Sequence, residues 1–316
     1  MRRSSTLAVL ATIATLSLAS CASEPASSAG TRLNVVASTT VYADLVRQVG
    51  GEDITTTAII TRTSQDPHSY EATPRDKLAV SKADLVIENG GGYDAFMEPL
   101  VKSSGKPADR VVSVVDLAPA VELAEAAGRP TDHDGHDHGG FNEHLWYDLP
   151  TMRALITKIA ETLTEADPGS ADLFADNATK LDADLGALEK RLAALRKRAE
   201  GRTFAATEPV AAYLLTGAGL RDETPHGFGE AVEGGLDVPP LVLNELKTAL
   251  EHGDIDLLAL NTQTASDQTA AIAGQAKANG VPVLEFTETL PGSLDFQGWM
   301  SGNITALEDV PGLGTR

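Results

Sequence analysis

Residues 168–200 read PGSADLFADNATKLDADLGALEKRLAALRKRAE, and this stretch decides the architecture. Leu173, Leu181, Leu185, Leu188, Leu192 and Leu195 fall at three- and four-residue steps with no Pro inside the run, the spacing of one apolar helix face. Acidic residues crowd its start and Arg196-Lys197-Arg198 its end, as the helix dipole favours. At ~1.5 Å per residue such a helix spans roughly 45–50 Å, longer than an ordinary crossover. The leucines do not hold a strict heptad for long, so a coiled-coil partner is the weaker reading. The segment reads as a rigid strut between two lobes.

On either side the chain alternates short apolar runs with amphipathic stretches. Before the strut, Leu33–Ser38, Ile54–Ile60, Ala83–Glu88 and Val111–Leu117 are strand candidates. Ala43–Val49, Pro74–Ser81 and Ala95–Lys102 between them have helical patterns, and Thr73-Pro74 supplies an N-cap followed by Pro at the first helical position. After the strut, Thr203–Thr207, Asp256–Leu260 and Val281–Phe286 read as strands. Pro209–Thr216, Pro240–His252, Ser266–Asn279 and Asp295–Glu308 read as helices. Such a rhythm predicts βαβ units and parallel sheets. The expected fold class is therefore α/β: two lobes with parallel sheets flanked by helices, joined by one long rigid α-helix. The expected domains are a signal peptide at 1–20, a tether at 21–31, an N-terminal lobe at 32–167, the linking helix at 168–200 and a C-terminal lobe at 201–316.

The chain has 316 residues, enough to bury a core in each lobe, and its 42% hydrophobic content excludes intrinsic disorder. Lys plus Arg total 25 against 45 acidic residues, a net charge of −20, with only 4% aromatics. Nucleic acid and anionic membrane surfaces are excluded as partners. The first residues, MRRSSTLAVLATIATLSLASC, combine a basic start, a short apolar stretch and Leu18-Ala19-Ser20-Cys21, which matches a bacterial lipobox. Cys21 is the only cysteine, so it is the expected lipidation point and no internal disulfide exists. Export and lipid anchoring to the outer face of the cytoplasmic membrane follow.

Catalytic signatures are sparse. There is no GxxxxGK[ST], GxGxxG after a strand, HExxH or GxSxG. What remains is a distribution of metal-ligand types. His68 lies in Gln65-Asp66-Pro67-His68, a loop after the Ile54–Ile60 strand, where open α/β sheets bind ligands. His144 lies just before the Met152 helix. Glu208 and Glu288 each follow a strand after the strut. Each lobe thus offers half of a four-ligand set. The plainer alternatives are solvated loop histidines and a Glu208 that answers the dipole of its helix. Asp148 has two readings: a helix cap, or a partner that orients His144.

At these residues the chain resembles the metal-binding lipoproteins of bacterial zinc/manganese ABC importers, the cluster A-I or TroA-like family. DPHSYEATPRD at 66–76 is similar to the family's DPHxYEPTP segment, and NEHLWYDLP at 142–150 to its NPHxWLDP segment. TEPVAAYLL, beginning at Thr207, resembles its strand-to-helix ligand turn. The resemblance runs from about Leu33 to Leu307. It implies two α/β lobes joined by one rigid helix, with metal at their interface, held by His68, His144, Glu208 and Glu288. It also implies an ABC permease with its cytoplasmic ATPase as partner, and a monomer. Glu143 stands where the family usually has Pro, and Glu288 where Asp is commoner. Glu208 stands where zinc members generally carry His and manganese members Glu.

Two imidazoles and two carboxylates admit Zn²⁺, then Mn²⁺ and then Fe²⁺. The tract Thr131–Gly140, with His133, His136 and His138, resembles a short version of the His-rich insertion of zinc members and reads as an auxiliary metal-collecting loop. Zinc is the favoured cargo on that ground. His226, in a Gly-rich stretch at 226–235 read as a cleft-rim loop, and His252, at a helix end, carry no assigned role. Two other classes remain open: a secreted zinc hydrolase, which needs an open coordination position, and a surface adhesin engaged in cell adhesion.

Overall fold

Apolar residues dominate the inner strands Leu33–Thr39, Leu85–Glu88 and Leu257–Asn261, because helices cover both faces of each sheet. Leu33–Thr39 (β1) is buried over its last five residues. It pairs in parallel with Ile54–Ile60 (β2), Leu33 opposite Ile54, and with Leu85–Glu88 (β3), Val36 opposite Val86. Val111–Ser113 (β4) closes the sheet on β3. The second sheet holds Thr203–Ala206 (β5), Arg221–Asp222 (β6), Leu257–Asn261 (β7) and Val283–Phe286 (β8), again all parallel. The orders are β2-β1-β3-β4 and β6-β5-β7-β8. Both sheets therefore follow the same winding, with switch points between β1 and β3 and between β5 and β7. Ligand crevices form at the carboxyl ends of strands beside such points. The computed structural model describes residues 32–119 and 141–313.

The strut is a 29-residue helix, Ala171–Ala199, entered through a 3₁₀ turn at Pro168–Ser170. Its buried row is Phe174, Ala178, Leu181, Leu185, Leu188, Leu192, Leu195 and Ala199. The steps alternate four and three along the whole helix, a more regular seam than the leucines alone display. Leu173 is 40% exposed, and Phe174 takes the place expected of it. The seam packs within this chain, against Thr40–Gly50, Leu149–Ala166 and Phe296–Glu308. Each fully buried Leu contributes about 1.5–3 kcal/mol of apolar transfer.

One hydrophobic cluster runs through both lobes, from Val35, Tyr42 and Leu45 to Phe204, Phe286, Trp299 and Met300. Polar ties reinforce it. The Arg191 guanidinium donates to both carboxylate oxygens of Glu308 (3.1 and 2.7 Å) and to Ser301 (2.7 Å), fixing the last helix on the strut. Gln48 and Gln297 exchange amide hydrogen bonds of 2.9 and 2.7 Å. Buried Asp44 accepts from the Phe296 N–H (2.8 Å). A shared core and these ties leave little room for a wide hinge between the sheets.

Three local expectations change. Val111–Leu117 is a three-residue strand followed by a 3₁₀ turn, Val114–Leu117. Pro209–Thr216 begins as a 3₁₀ turn, Pro209–Ala211, before the Ala212–Gly217 helix. The stretch read as a rim loop contains a short helix, Phe228–Glu233, with Phe228 and Val232 buried. Its glycines hid that apolar anchor.

Candidate metal centre

His68 is set by local chemistry. The Asp66 carboxylate accepts from the His68 N–H (2.9 Å) and the Ser69 hydroxyl (2.6 Å), folding the loop after β2 into a tight turn. The next helix, Pro74–Lys82, starts with a capping box in which Thr73 and Asp76 bond each other's backbone N–H (3.3 and 2.7 Å). Tyr70 donates to the same Asp76 carboxylate (2.9 Å), tying the loop to the helix start. The His68 ring meets Tyr93 edge-on, with centroids 5.2 Å apart.

His144 is fully buried, and Asn142 orients it. Asn142 Oδ1 lies 2.6 Å from His144 Nδ1 and also accepts from the His144 N–H (3.1 Å). An amide oxygen only accepts, so Nδ1 carries the proton and Nε2 keeps the lone pair a metal requires. Asn142 also reaches the other lobe. Its side chain donates to the Pro209 carbonyl (2.9 Å), and its own carbonyl accepts from the Tyr213 hydroxyl (2.7 Å). The neighbouring Glu143 carbonyl accepts from the Asn89 amide (3.0 Å). Trp146 and Tyr93, 4.5 Å apart at their centroids, back the two imidazoles with aromatic surface.

From the second lobe, Glu208 follows β5, Asn261 ends β7 and Glu288 follows β8. All three are buried at strand carboxyl ends. Asn261 Nδ2 donates to Glu208 Oε2 and to Glu288 Oε1 (2.8 Å), holding the two carboxylates side by side. The Asn261 N–H is anchored on the Thr207 hydroxyl (3.0 Å), and Gln263 Oε1 accepts from the Glu288 N–H (2.7 Å).

His68, Glu143, His144 and Glu233 each offer a donor atom, and these atoms lie within 4.8 Å of one another. His68 Nε2 is 3.8 Å from a Glu143 oxygen and 3.7 Å from Glu233 Oε1; His144 Nε2 is 3.9 Å from the same Glu233 oxygen. Metal–ligand bonds of about 2.0–2.1 Å in a tetrahedron separate neighbouring donors by roughly 3.3–3.4 Å. Those three separations exceed this spacing by about 0.3–0.6 Å, and the widest pair of the group by up to about 1.5 Å.

Carboxylates crowded in a buried pocket resist ionisation. Glu143 is raised to about 7, Glu208 to about 7 and Glu288 to about 8. Desolvation is the largest cause for each, and the neighbouring carboxylates add to it. Hydrogen bonds to Asn261 pull the last two part of the way back. A divalent cation is the natural remedy for so much buried negative charge.

The structure brings His68 and His144 together, and Glu208 and Glu288 together on Asn261. The 4.8 Å group itself takes its carboxylates from Glu143 and Glu233. Sequence reasoning noted Glu143 only as a missing Pro and passed over Glu233. The available signal was two acidic side chains in the His144 and Gly-rich segments. Of the two readings of Asp148, the structure has the cap: it accepts from the Thr151 N–H (3.2 Å) and the Thr151 hydroxyl. The residue that orients His144 is Asn142. His252 ends the Pro240–His252 helix. Cys21, His133, His136 and His138 lie outside the described residues.

Two doubly wound lobes on one long helix, with imidazoles and carboxylates from both gathered together, define a two-lobed metal-receptor fold. The chain belongs to the family of the periplasmic component A of the zinc-uptake complex, whose profile matches residues 35–310. It is 31% identical over 198 residues to the manganese ABC transporter substrate-binding lipoprotein ScaA of Streptococcus gordonii, covering 61% of this chain and 59% of that one. It is 29% identical over 191 residues to the manganese-binding lipoprotein MntA of Bacillus subtilis, covering 60% of this chain and 58% of that one. These matches span little more than half the length of either relative. Among solved structures, the periplasmic zinc-binding protein TroA of Treponema pallidum superposes with a TM-score of 0.71 at 19% identity, covering 90% of this chain and all of that one. A zinc-bound ZnuA deletion mutant superposes with a TM-score of 0.68 at 18% identity, covering 90% of this chain and 100% of that chain. At such identities the likeness establishes the fold. Among the described residues, no helix is long and apolar enough to cross a membrane.

Proposed function

We propose that this protein captures a divalent transition-metal ion between its lobes and delivers it to an ABC permease driven by a cytoplasmic ATPase. It would act as a monomer, exported and held at the outer face of the cytoplasmic membrane by a lipid on Cys21. One observation carries the reading: the His68 and His144 imidazoles come together beside acidic side chains of both lobes, with donor atoms of Glu143 and Glu233 within 4.8 Å of theirs. The relatives named for manganese and the zinc-uptake family support it.

The resident ligands are proposed as His68, His144, Glu208 and Glu288. Asn261 holds Glu208 and Glu288 by one oxygen each, and Oε2 of Glu288 is buried without a hydrogen-bond partner. Such an oxygen is a ready metal donor. A cage closed by four protein ligands favours transport over hydrolysis, because catalytic zinc keeps a position open for water. Zinc is the favoured cargo on intrinsic affinity, which rises from manganese towards zinc in ordinary sites. Manganese is the second reading, supported by the carboxylates in the donor set and the relatives' names. The proposed domain limits are 1–20, 21–31, 32–167, 168–200 and 201–316, with residues 131–140 as a metal-collecting loop.

The experiment is metal analysis of tag-free protein, followed by competition titration against chelators. One equivalent of zinc or manganese should bind per chain at high affinity, zinc the more tightly. Absence of stoichiometric binding by either ion would refute the reading.

A further inference from the structure

A cavity of about 390 Å³ lies against the candidate centre, on the side of the Phe228–Glu233 helix. Its wall includes Asp222, His226 and Glu230, and also Glu143 and Glu233. Those last two belong at the same time to the group around His68 and His144. Glu143 and Glu233 are therefore shared between an access space and the imidazoles. Glu208 and Glu288 are held instead on Asn261.

The two carboxylate pairs thus differ in position: Glu143 and Glu233 line the cavity, and Glu208 and Glu288 do not. A cation coming through the cavity meets Glu143 and Glu233 while it still retains part of its water shell. It can exchange those waters one at a time for carboxylate oxygens and imidazole nitrogens, which lowers the barrier to dehydration. Closing onto Glu208 and Glu288 then completes the cage.

We infer that Glu143 and Glu233 are transfer ligands, which carry the ion between the cavity and the resident site and set the rates of loading and release. The inference rests on the metal-binding reading above. A group that acts only on the path stabilises the barrier and leaves the end states nearly unchanged. Removing it slows association and dissociation together.

The test is stopped-flow zinc exchange with a fluorescent chelator, on the full chain carrying Glu143→Gln or Glu233→Gln. Both rate constants should fall by about tenfold while the equilibrium Kd stays within about threefold of wild type. The slowing should persist at high salt, where a general field effect is screened. Glu143→Asp and Glu233→Asp, which keep the carboxylate, should restore most of the rate. Unchanged rates would overturn the inference. So would a Kd weakened as much as by loss of His68, which would make these glutamates resident ligands. Failure of the underlying reading would look different: His68→Ala would then bind zinc like wild type.

Discussion

Substituting His68 or His144 by Ala lowers zinc affinity by about a hundredfold or more, beyond the 10–100-fold typical of losing an outer partner of a ligand. Each imidazole is a direct donor in this account. His68 is the cleaner test, because it sits in a loop with its side chain 18% exposed, and its removal leaves the core intact. His144 is buried against Trp146 and Tyr93, so its variant needs a circular-dichroism check of the fold. Isothermal titration with a competing chelator reads the change. Wild-type affinity in both variants would remove the two imidazoles from the site.

The second large effect is on pH. In an unfolded chain these glutamates titrate near 4.5; folded, Glu143 and Glu208 titrate near 7 and Glu288 near 8. Between those limits the folded, metal-free protein binds more protons than the unfolded chain, so its stability falls as pH rises through the window. Metal binding requires the carboxylates ionised and expels their protons, so affinity rises with pH, about tenfold per unit for each proton released. The melting temperature of the metal-free protein should therefore decline from pH 5.5 to 8.5, while the increment produced by saturating zinc grows. Glu288→Gln should remove part of the decline. A zinc increment that stays flat or shrinks with pH would contradict the account.

The fold was legible because its largest signals are local. Parallel strands buried on both faces announce themselves as Val/Ile/Leu runs, and the strut as a long apolar stripe. Ile54–Ile60 and Pro240–His252 appear with the predicted limits. The matching winding of the two sheets was not legible, since strand order arises from packing across the chain. Nor was the two-residue β6, too short to carry any periodicity. At the site, the histidines stood out through the Asp66-Pro67-His68 and Asn142-Glu143-His144 patterns. Glu233 did not, because a carboxylate in a Gly-rich segment resembles any solvated acid until Phe228 and Val232 bury the helix that carries it. Asn142 and Asn261 were missed for a related reason. Their importance lies in bonds to residues far along the chain, such as Pro209, Glu208 and Glu288.

The most direct measurement is a crystal structure of the zinc-loaded protein with anomalous data at the metal edge. The account predicts one strong peak within bonding distance, about 2.0–2.1 Å, of Nε2 of both His68 and His144, with glutamate oxygens completing the shell. A metal bound elsewhere, with those two nitrogens still separated from it, would contradict the account.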